Sequence, residues 1–320
     1  MKFIQQAYKG HNEWWAYSVT IIILFFGWQF IGVIPLIGAA YYYADDTSEF
    51  MTSANDNFAT LGMDANLYLF LIILTFLGGL LSLFLGIKFI HKRKIVTLIT
   101  SRNKVDWNRV FYAFSIWAII GVFMIAVGYL ISPEDYVWNF KLVPFFILVV
   151  ISFLFLPIQT SMEELLFRGY LMQGFGTWFK KSFVALLLTS VIFGLLHGLN
   201  PEVEKLGWIS MVYYIGTGLV LGIFTLMDEG TELALGFHAA NNIIAAVLVT
   251  TNWTVFQTDA LLVDISEPSV GWEMFVPVLI LYPLVLFIFS KKYGWTNWQE
   301  KLMGTIYKPI ELNEDKFIAN

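Results

Sequence analysis

Long apolar runs separated by short polar stretches dominate the chain. A run of about 18 or more apolar residues is long enough to cross a bilayer as a helix. The pattern therefore predicts an all-α, polytopic membrane protein with about eight transmembrane helices in one integral membrane domain, residues 1–320. The predicted spans cover roughly residues 17–43, 66–87, 110–131, 142–176, 182–198, 208–227, 233–251 and 271–290.

The composition agrees with this prediction. Hydrophobic residues make up 58% of the sequence and charged residues only 13%, whereas a soluble domain is about 25% charged. So much apolar sequence cannot be buried in one water-soluble core of this length. The absence of cysteine excludes disulfides, thiolate metal sites and cysteine nucleophiles. A net charge of −5 gives no indication of nucleic-acid binding.

The distribution of basic residues predicts the orientation in the membrane. The loop 88–109 is rich in Lys and Arg, whereas the loop 44–65 contains five acidic residues and no basic one. Loops rich in Lys and Arg remain in the cytoplasm. The lysine pairs at 180–181 and 291–292 fall on the same side as residues 88–109, so we expect both termini to be cytoplasmic. The Phe-, Ile- and Asn-rich composition suggests the inner (cytoplasmic) membrane of a bacterium.

Three predicted spans, the fourth, fifth and seventh, contain ionisable residues deep in apolar sequence. A charge in hydrocarbon costs several kcal/mol, so such residues usually face a cavity and mark a functional site. They are Glu163, Glu164, Arg168, His197 and His238. The other two histidines, His11 and His91, fall in predicted loops, and we expect them to be ordinary surface residues.

Helical spacing groups these residues into three clusters. Positions four apart lie on one helix face, which applies to Glu164 and Arg168. The same spacing pairs Phe193 with His197, and His238 with Asn242, which follows directly after Asn241. Three helices therefore each present a short polar cluster on one face.

A predicted hairpin between the fourth and fifth spans brings two clusters to one level. Glu163 and His197 each lie seventeen residues from a turn near Lys180, or about 25 Å along their helices. The third cluster reaches the same level if this hairpin extends beyond the bilayer. We therefore predict one site, about a third of the way into the membrane from the cytoplasmic side.

The chemistry of these residue types suits hydrolysis. A carboxylate beside a neutral imidazole can hold and deprotonate a water molecule. An imidazole and an asparagine amide on one helix can supply two hydrogen-bond donors to an oxyanion. Taken separately, each cluster also has a structural interpretation: an ion pair, a packed histidine, or hydrogen bonds between membrane helices.

The three clusters resemble the motifs of a known family. Glu163-Glu164-x-x-x-Arg168, Phe193-x-x-x-His197 and His238-x-x-x-Asn242 match, in order, those of the CAAX prenyl protease and bacteriocin-processing family of intramembrane glutamate endopeptidases. The resemblance covers a catalytic core of about residues 142–250.

The resemblance implies a function for each residue. Glu163 and His197 would activate water, and His238 and Asn242 would hold the oxyanion. Supporting roles would fall to Glu164, Arg168, Phe193 and Asn241.

The function we expect is endoproteolysis of a membrane-associated peptide or protein, with membrane lipid as the other partner. A prenylated substrate and a substrate with a leader peptide are the two candidates. We expect no cofactor. The alternative is a zinc site formed by Glu163, His197 and His238. Two other functions remain open: a catalytically silent scaffold or immunity protein, and a proton-coupled transporter.

Overall fold

A computed structural model describes residues 2–254 and 257–309. Eight main helices follow one another in the order of the eight predicted spans. Six of the described helices are long and apolar enough to cross a membrane. They are α1 (Trp14–Tyr43), α2 (Ala65–Ile90), α3 (Trp107–Ile131), α4 (Leu142–Phe179), α5 (Ser182–Leu199) and α6 (Trp208–Asp228). Two shorter helices complete the series, α7 (Glu232–Leu248) and α8 (Tyr282–Tyr293), and a π-helical turn, Pro277–Leu281, precedes α8.

Short elements connect these helices. Single helical turns or short helices cover Ile4–Lys9, Thr47–Ser53, Ala54–Asp56, Val96–Ile99, Pro133–Asp135, Pro201–Leu206, Trp272–Met274 and Trp298–Met303. The three strands are β1 (Tyr136–Trp138), β2 (Val249–Thr250) and β3 (Leu262–Asp264). The all-α prediction holds for the bundle, but it did not include this small sheet.

The outward surface of the bundle is apolar. Phe25 on α1, Phe123 on α3, Leu154 on α4 and Phe287 on α8 each expose more than half of their surface. Large apolar side chains exposed on many helices would be unfavourable in water, and they match a hydrocarbon surround. The chain is therefore an integral membrane protein.

Local sequence sets where the helices begin. The carboxylate of Asp64 accepts hydrogen bonds from the backbone N–H groups of Asn66 and Leu67 and so caps α2. Asp106 caps α3 in the same way through the N–H of Asn108. Each cap satisfies backbone donors that an apolar helix start would leave unpaired.

The longest helix, α4, changes its winding where the first motif lies. Its α-helical part, Leu142–Glu164, passes into a π-helical segment, Leu165–Leu171, before α-helix resumes at Met172–Phe179. π-Helical segments recur at functional sites, since an extra residue per turn changes the direction of the side chains that follow. The winding changes directly after Glu164, so it affects the direction of Arg168.

The three strands join connecting segments at one end of the bundle, which we call the sheet end. The central strand β3 pairs antiparallel with β1, which precedes α4, and parallel with β2, which follows α7. Thr258 also donates a 2.6 Å hydrogen bond to the carbonyl of Ala246 on α7. The sheet therefore ties together the ends of the two helices that carry most of the predicted site.

Ion pairs hold the opposite end, which we call the terminal end because the first and last helices of the described residues, Ile4–Lys9 and Trp298–Met303, lie there. Arg102, in the loop after α2, pairs with Asp228 at 3.1 Å and with Glu232 at 3.3 Å. The N–H of Phe3 donates to Glu229, whose carboxylate also pairs with Lys301 at 3.5 Å. The basic loop, the α6–α7 turn and the segments Ile4–Lys9 and Trp298–Met303 thus share one end.

His91 differs from its prediction as a surface residue. It is 1% exposed, and its ring nitrogens contact the carbonyl oxygen of His11 at 2.6 Å and the hydroxyl of Tyr170 at 2.8 Å. Burial, reinforced by the nearby Arg93 guanidinium, lowers the pKa of His91 to about 4. The prediction was wrong because its partners come from distant parts of the sequence.

The turn between α5 and α6 lies beside the predicted site and not at the sheet end. Glu163 is about 30 Å along α4 from Leu142, at 1.5 Å per residue. Phe193, one turn before the end of α5, packs against Arg168 and His238. The hairpin of α5 and α6 therefore ends near the level of the first motif.

Candidate active site

The site begins with two adjacent glutamates on α4 that have different surroundings. Glu164 is fully buried, and its Oε1 accepts hydrogen bonds from Arg168 Nη1 at 2.9 Å and His238 Nδ1 at 2.7 Å. The side chain of Glu163 is 12% exposed, and its Oε1 accepts a 2.6 Å hydrogen bond from Gln159 Nε2. Glu164 is thus held in an ion pair, whereas Glu163, within the described part of the chain, accepts a hydrogen bond only from the uncharged amide of Gln159.

Arg168 neutralises the buried charge of Glu164. Its guanidinium is fully buried, with Cζ 4.2 Å from the centre of the Phe193 ring. Its Nη2 donates to the carbonyl of Gly218 on α6 at 3.3 Å. A buried ion pair needs such additional contacts to offset the loss of hydration, and these contacts join α4, α5 and α6.

His238 lies between the two glutamates. Because the Glu164 carboxylate accepts at Nδ1, that nitrogen carries the proton, and a neutral ring then has a lone pair on Nε2. Nε2 is 3.8 Å from Glu163 Oε2. Glu163 Oε2 is buried and accepts no hydrogen bond from the described part of the chain. Two acceptor atoms at this separation suit a single bridging water molecule.

His197 also contacts Phe193, with ring centroids 4.6 Å apart. Its Nδ1 contacts the carbonyl oxygen of Phe193 at 2.7 Å, and its ring stacks on Tyr214 with centroids 4.5 Å apart. The hydrogen bonds and ion pairs of residues 2–254 and 257–309 do not include one between His197 and Glu163. The structure thus places His238, and not His197, beside the carboxylate of Glu163.

The two asparagines of α7 complete the cluster. Asn242 is 7% exposed, and its Nδ2 donates to Gln159 Oε1 at 3.0 Å. Asn241 Nδ2 donates to Asn242 Oδ1 at 3.2 Å. One N–H of the Asn242 amide is engaged with Gln159, and the other is not used in these contacts.

Three residues that were not predicted from the sequence contact the predicted site residues. Gln159 lies one turn before Glu163, a spacing that could have revealed it. Trp117 Nε1 donates to Asn241 at 3.1 Å from the apolar helix α3. Tyr214, which stacks on His197, donates from its hydroxyl to Glu202 at 2.5 Å. Neither aromatic residue had a distinguishing sequence signal.

The arrangement also bears on the zinc alternative. Within the described residues, no group of three or more His, Cys, Asp or Glu side chains is placed to hold a metal ion. Zinc ligands lie about 2.0–2.2 Å from the metal. Among the described residues, Glu163, His197 and His238 therefore do not form such a group.

Comparisons with known proteins agree with the motif resemblance. Residues 141–244 match the family model described as Rce1-like, type II CAAX prenyl endopeptidase Rce1-like. The chain is also 28% identical over 281 residues to "Uncharacterized protein YyaK" of Bacillus subtilis (strain 168), which covers 85% of this chain and 90% of that protein. No solved structure matches the chain. The family match confirms the resemblance and covers the three motifs.

Proposed function

We propose, from the Rce1-like character of residues 141–244, that this protein is an intramembrane glutamic endopeptidase acting on a membrane-associated peptide or protein. The observation that carries the proposal is the position of Glu163 Oε2. This buried carboxylate oxygen lies 3.8 Å from His238 Nε2 and accepts no hydrogen bond from the described residues. A general base needs such a free acceptor next to the water that it activates.

In the proposed first step, one water molecule donates two hydrogen bonds, one to Glu163 Oε2 and one to His238 Nε2. Its oxygen lone pairs are then free to attack a peptide carbonyl. Glu163 takes a proton as the carbon–oxygen bond forms, and it later gives that proton to the departing amine. Glu164 fixes the His238 tautomer through Nδ1, so that Nε2 can accept from the water.

The tetrahedral intermediate carries a negative oxygen that needs donors. We assign Asn242 to this role, since its amide has an N–H beyond the one given to Gln159. This assignment keeps the role that the motif resemblance implies for Asn242. It moves His238 from the oxyanion to the water, because its protonated nitrogen already faces Glu164.

His197 remains in the proposed site on the substrate side. Its Nδ1 is engaged by the Phe193 carbonyl, which leaves Nε2 as its reactive nitrogen. The His197 ring stacks on Tyr214 and contacts Phe193 at a tilt of 47°, and these two contacts fix its plane. We propose that it contacts the peptide near the scissile bond, where it can exchange a proton with the leaving amine.

The test is cleavage by purified protein in lipid nanodiscs. The probes are two fluorogenic peptides of the same sequence, one farnesylated at a C-terminal CAAX cysteine and one unmodified, together with a quenched peptide library. Glu163→Gln keeps the shape of the side chain but removes the base. We expect its turnover to fall by about 100- to 10,000-fold.

The matched control is Glu134→Gln, the same chemical change at an exposed position before β1. It should cleave like the wild type. Equal activity of Glu163→Gln and wild type would overturn the role of Glu163. A folded wild-type protein that cleaves none of the probes would favour a catalytically silent scaffold. Proton flux in proteoliposomes that depends on Glu163 would favour a transporter.

A further inference from the structure

A continuous chain of side-chain hydrogen bonds crosses the site and is not used in the steps above. It runs from the indole of Trp117 on α3 to the carboxylate of Glu163 on α4. Its four links measure 3.1, 3.2, 3.0 and 2.6 Å. The members in order are Trp117, Asn241, Asn242, Gln159 and Glu163.

The two ends of the chain fix its direction. An indole N–H can only donate, and an ionised carboxylate can only accept. Trp117 therefore requires the oxygen of Asn241 to face it, which directs the amide nitrogen of Asn241 toward Asn242. The same constraint applies to the amides of Asn242 and Gln159, so that Gln159 presents an N–H to Glu163. A reversed amide anywhere would place two donors or two acceptors in contact.

Trp117, the donor at the start of the chain, is fixed by packing. The Trp117 ring stacks on Phe237 with centroids 4.1 Å apart and an interplanar angle of 27°, and only 7% of the residue is exposed. The close approach of α3 and α7 depends on Gly236, where a Cβ atom would collide with the carbonyl oxygen of Val110. Trp117 and Asn241 also line a groove of about 220 Å³ between α3, α7 and the segment before α8.

We propose that Trp117 and Gln159 are positioning residues for the hydrolysis, an inference that rests on the proposed function. Trp117 sets which way the Asn242 amide faces, so that its N–H groups point toward Gln159 and the oxyanion. Gln159 occupies Glu163 Oε1, which leaves Oε2 for the water. Without the indole N–H, both asparagine amides could rotate by 180° with little change in shape.

Two variants remove the donors and keep most of the volume. Trp117→Phe retains an aromatic ring without an N–H, and Gln159→Met retains the length without an amide. Removing an oxyanion donor outright costs about 100- to 1,000-fold in kcat, whereas each variant only misorients a proposed catalytic group, so kcat should fall by about 10- to 100-fold. KM should stay within about twofold of the wild type, since neither residue is proposed to bind substrate.

Matched controls come from the same helices. Trp107→Phe makes the same change at an exposed position at the start of α3, and Thr160→Val changes the buried neighbour of Gln159. Both should keep wild-type kcat. Loss of kcat in the controls, or an effect of the test variants mainly on KM, would overturn the positioning role.

The double variant tests whether the two residues act through one chain. Trp117 and Gln159 share no hydrogen bond, so independent packing effects on kcat should multiply. A single chain predicts that the double variant is no slower than the slower single variant. Multiplicative losses would overturn the inference. Gln159→Glu has a similar shape but cannot donate when ionised, and wild-type kcat in that variant would also overturn it.

A measurement independent of activity separates failure of this inference from failure of the proposed function. The wild type, Trp117→Phe, Gln159→Met and the double variant are unfolded thermally, and their unfolding midpoints are compared. If the chain exists, the midpoint of the double variant falls by less than the sum of the two single effects, whether or not the wild type cleaves a peptide. Additive midpoints would overturn the chain, and absent wild-type cleavage would overturn only the proposed function.

Discussion

The carboxylate of Glu164 and the imidazole of His238 lie 74 positions apart in the sequence and are joined by a hydrogen bond of 2.7 Å. The bond links the α4 and α7 motifs directly. It also assigns different tasks to two adjacent glutamates. Glu164 binds His238 and Arg168 through Oε1, whereas Glu163 places Oε2 3.8 Å from His238 Nε2.

Replacing Glu164 should therefore affect stability as well as activity. Glu164→Gln leaves the fully buried Arg168 without its carboxylate, and breaking such a pair typically costs about 3–5 kcal/mol. We expect a clear loss of unfolding free energy and of turnover, measured by denaturant unfolding and by peptide cleavage. Adding Arg168→Met should restore part of the stability and none of the activity. A fully stable Glu164→Gln protein would contradict this account of the ion pair.

Asn242→Ala should reduce turnover with little change in substrate binding. Removing one oxyanion donor costs about 100- to 1,000-fold in kcat. Steady-state kinetics with the fluorogenic peptides would separate kcat from KM. A variant that fails mainly through KM would place Asn242 in substrate binding.

The purified enzyme should retain activity after treatment with strong chelators and contain no stoichiometric zinc. Glu163 Oε2 and His238 Nε2 lie 3.8 Å apart, and the described residues do not include a group of three side chains placed to hold a metal. The measurement is elemental analysis with activity before and after chelation. One zinc per chain, with activity lost on chelation and restored by zinc, would instead make Glu163, His197 and His238 ligands and Glu164 the candidate base.

His91 should make the fold less stable in acid. Its pKa is about 4 in the folded protein and about 6.5 in an unfolded chain. The unfolded state therefore binds more protons between these pH values, so stability is complete above about pH 6.5 and falls as the pH drops toward 4. In His91→Gln, the unfolding midpoint should change less across this interval. Parallel midpoint curves for both proteins would show that His91 does not titrate in this way.

The helices and the buried charges could be predicted because their signals are local in the sequence. Runs of apolar residues locate the helices because crossing a bilayer requires a minimum length. Buried charges such as Glu164 and Arg168 stand out against apolar sequence, and spacing of four places them on one face. The turn near Lys180 was also predicted, and α4 ends at Phe179 before α5 begins at Ser182.

Contacts between distant segments could not be predicted in this way. Trp117 lies in a span without ionisable residues, and nothing in the surrounding sequence distinguishes it from a lipid-facing residue. Its role depends on Asn241, which is 124 residues away. His91 looks like a loop residue until Tyr170 and the His11 carbonyl enclose it. The strands have only two or three residues, too few to give an alternating pattern.

The two ends of the bundle have a consequence for how catalysis proceeds. The three-stranded sheet joins α4 to α7 at one end, and Arg102 ties the start of α7 to the basic loop at the other. The side chains of the proposed site on α4 and α7 lie between these two ends, so they are aligned when the protein folds, before a substrate binds. The proposed turnover would then require little reorganisation, because the entropy cost of ordering these side chains is met once, during folding.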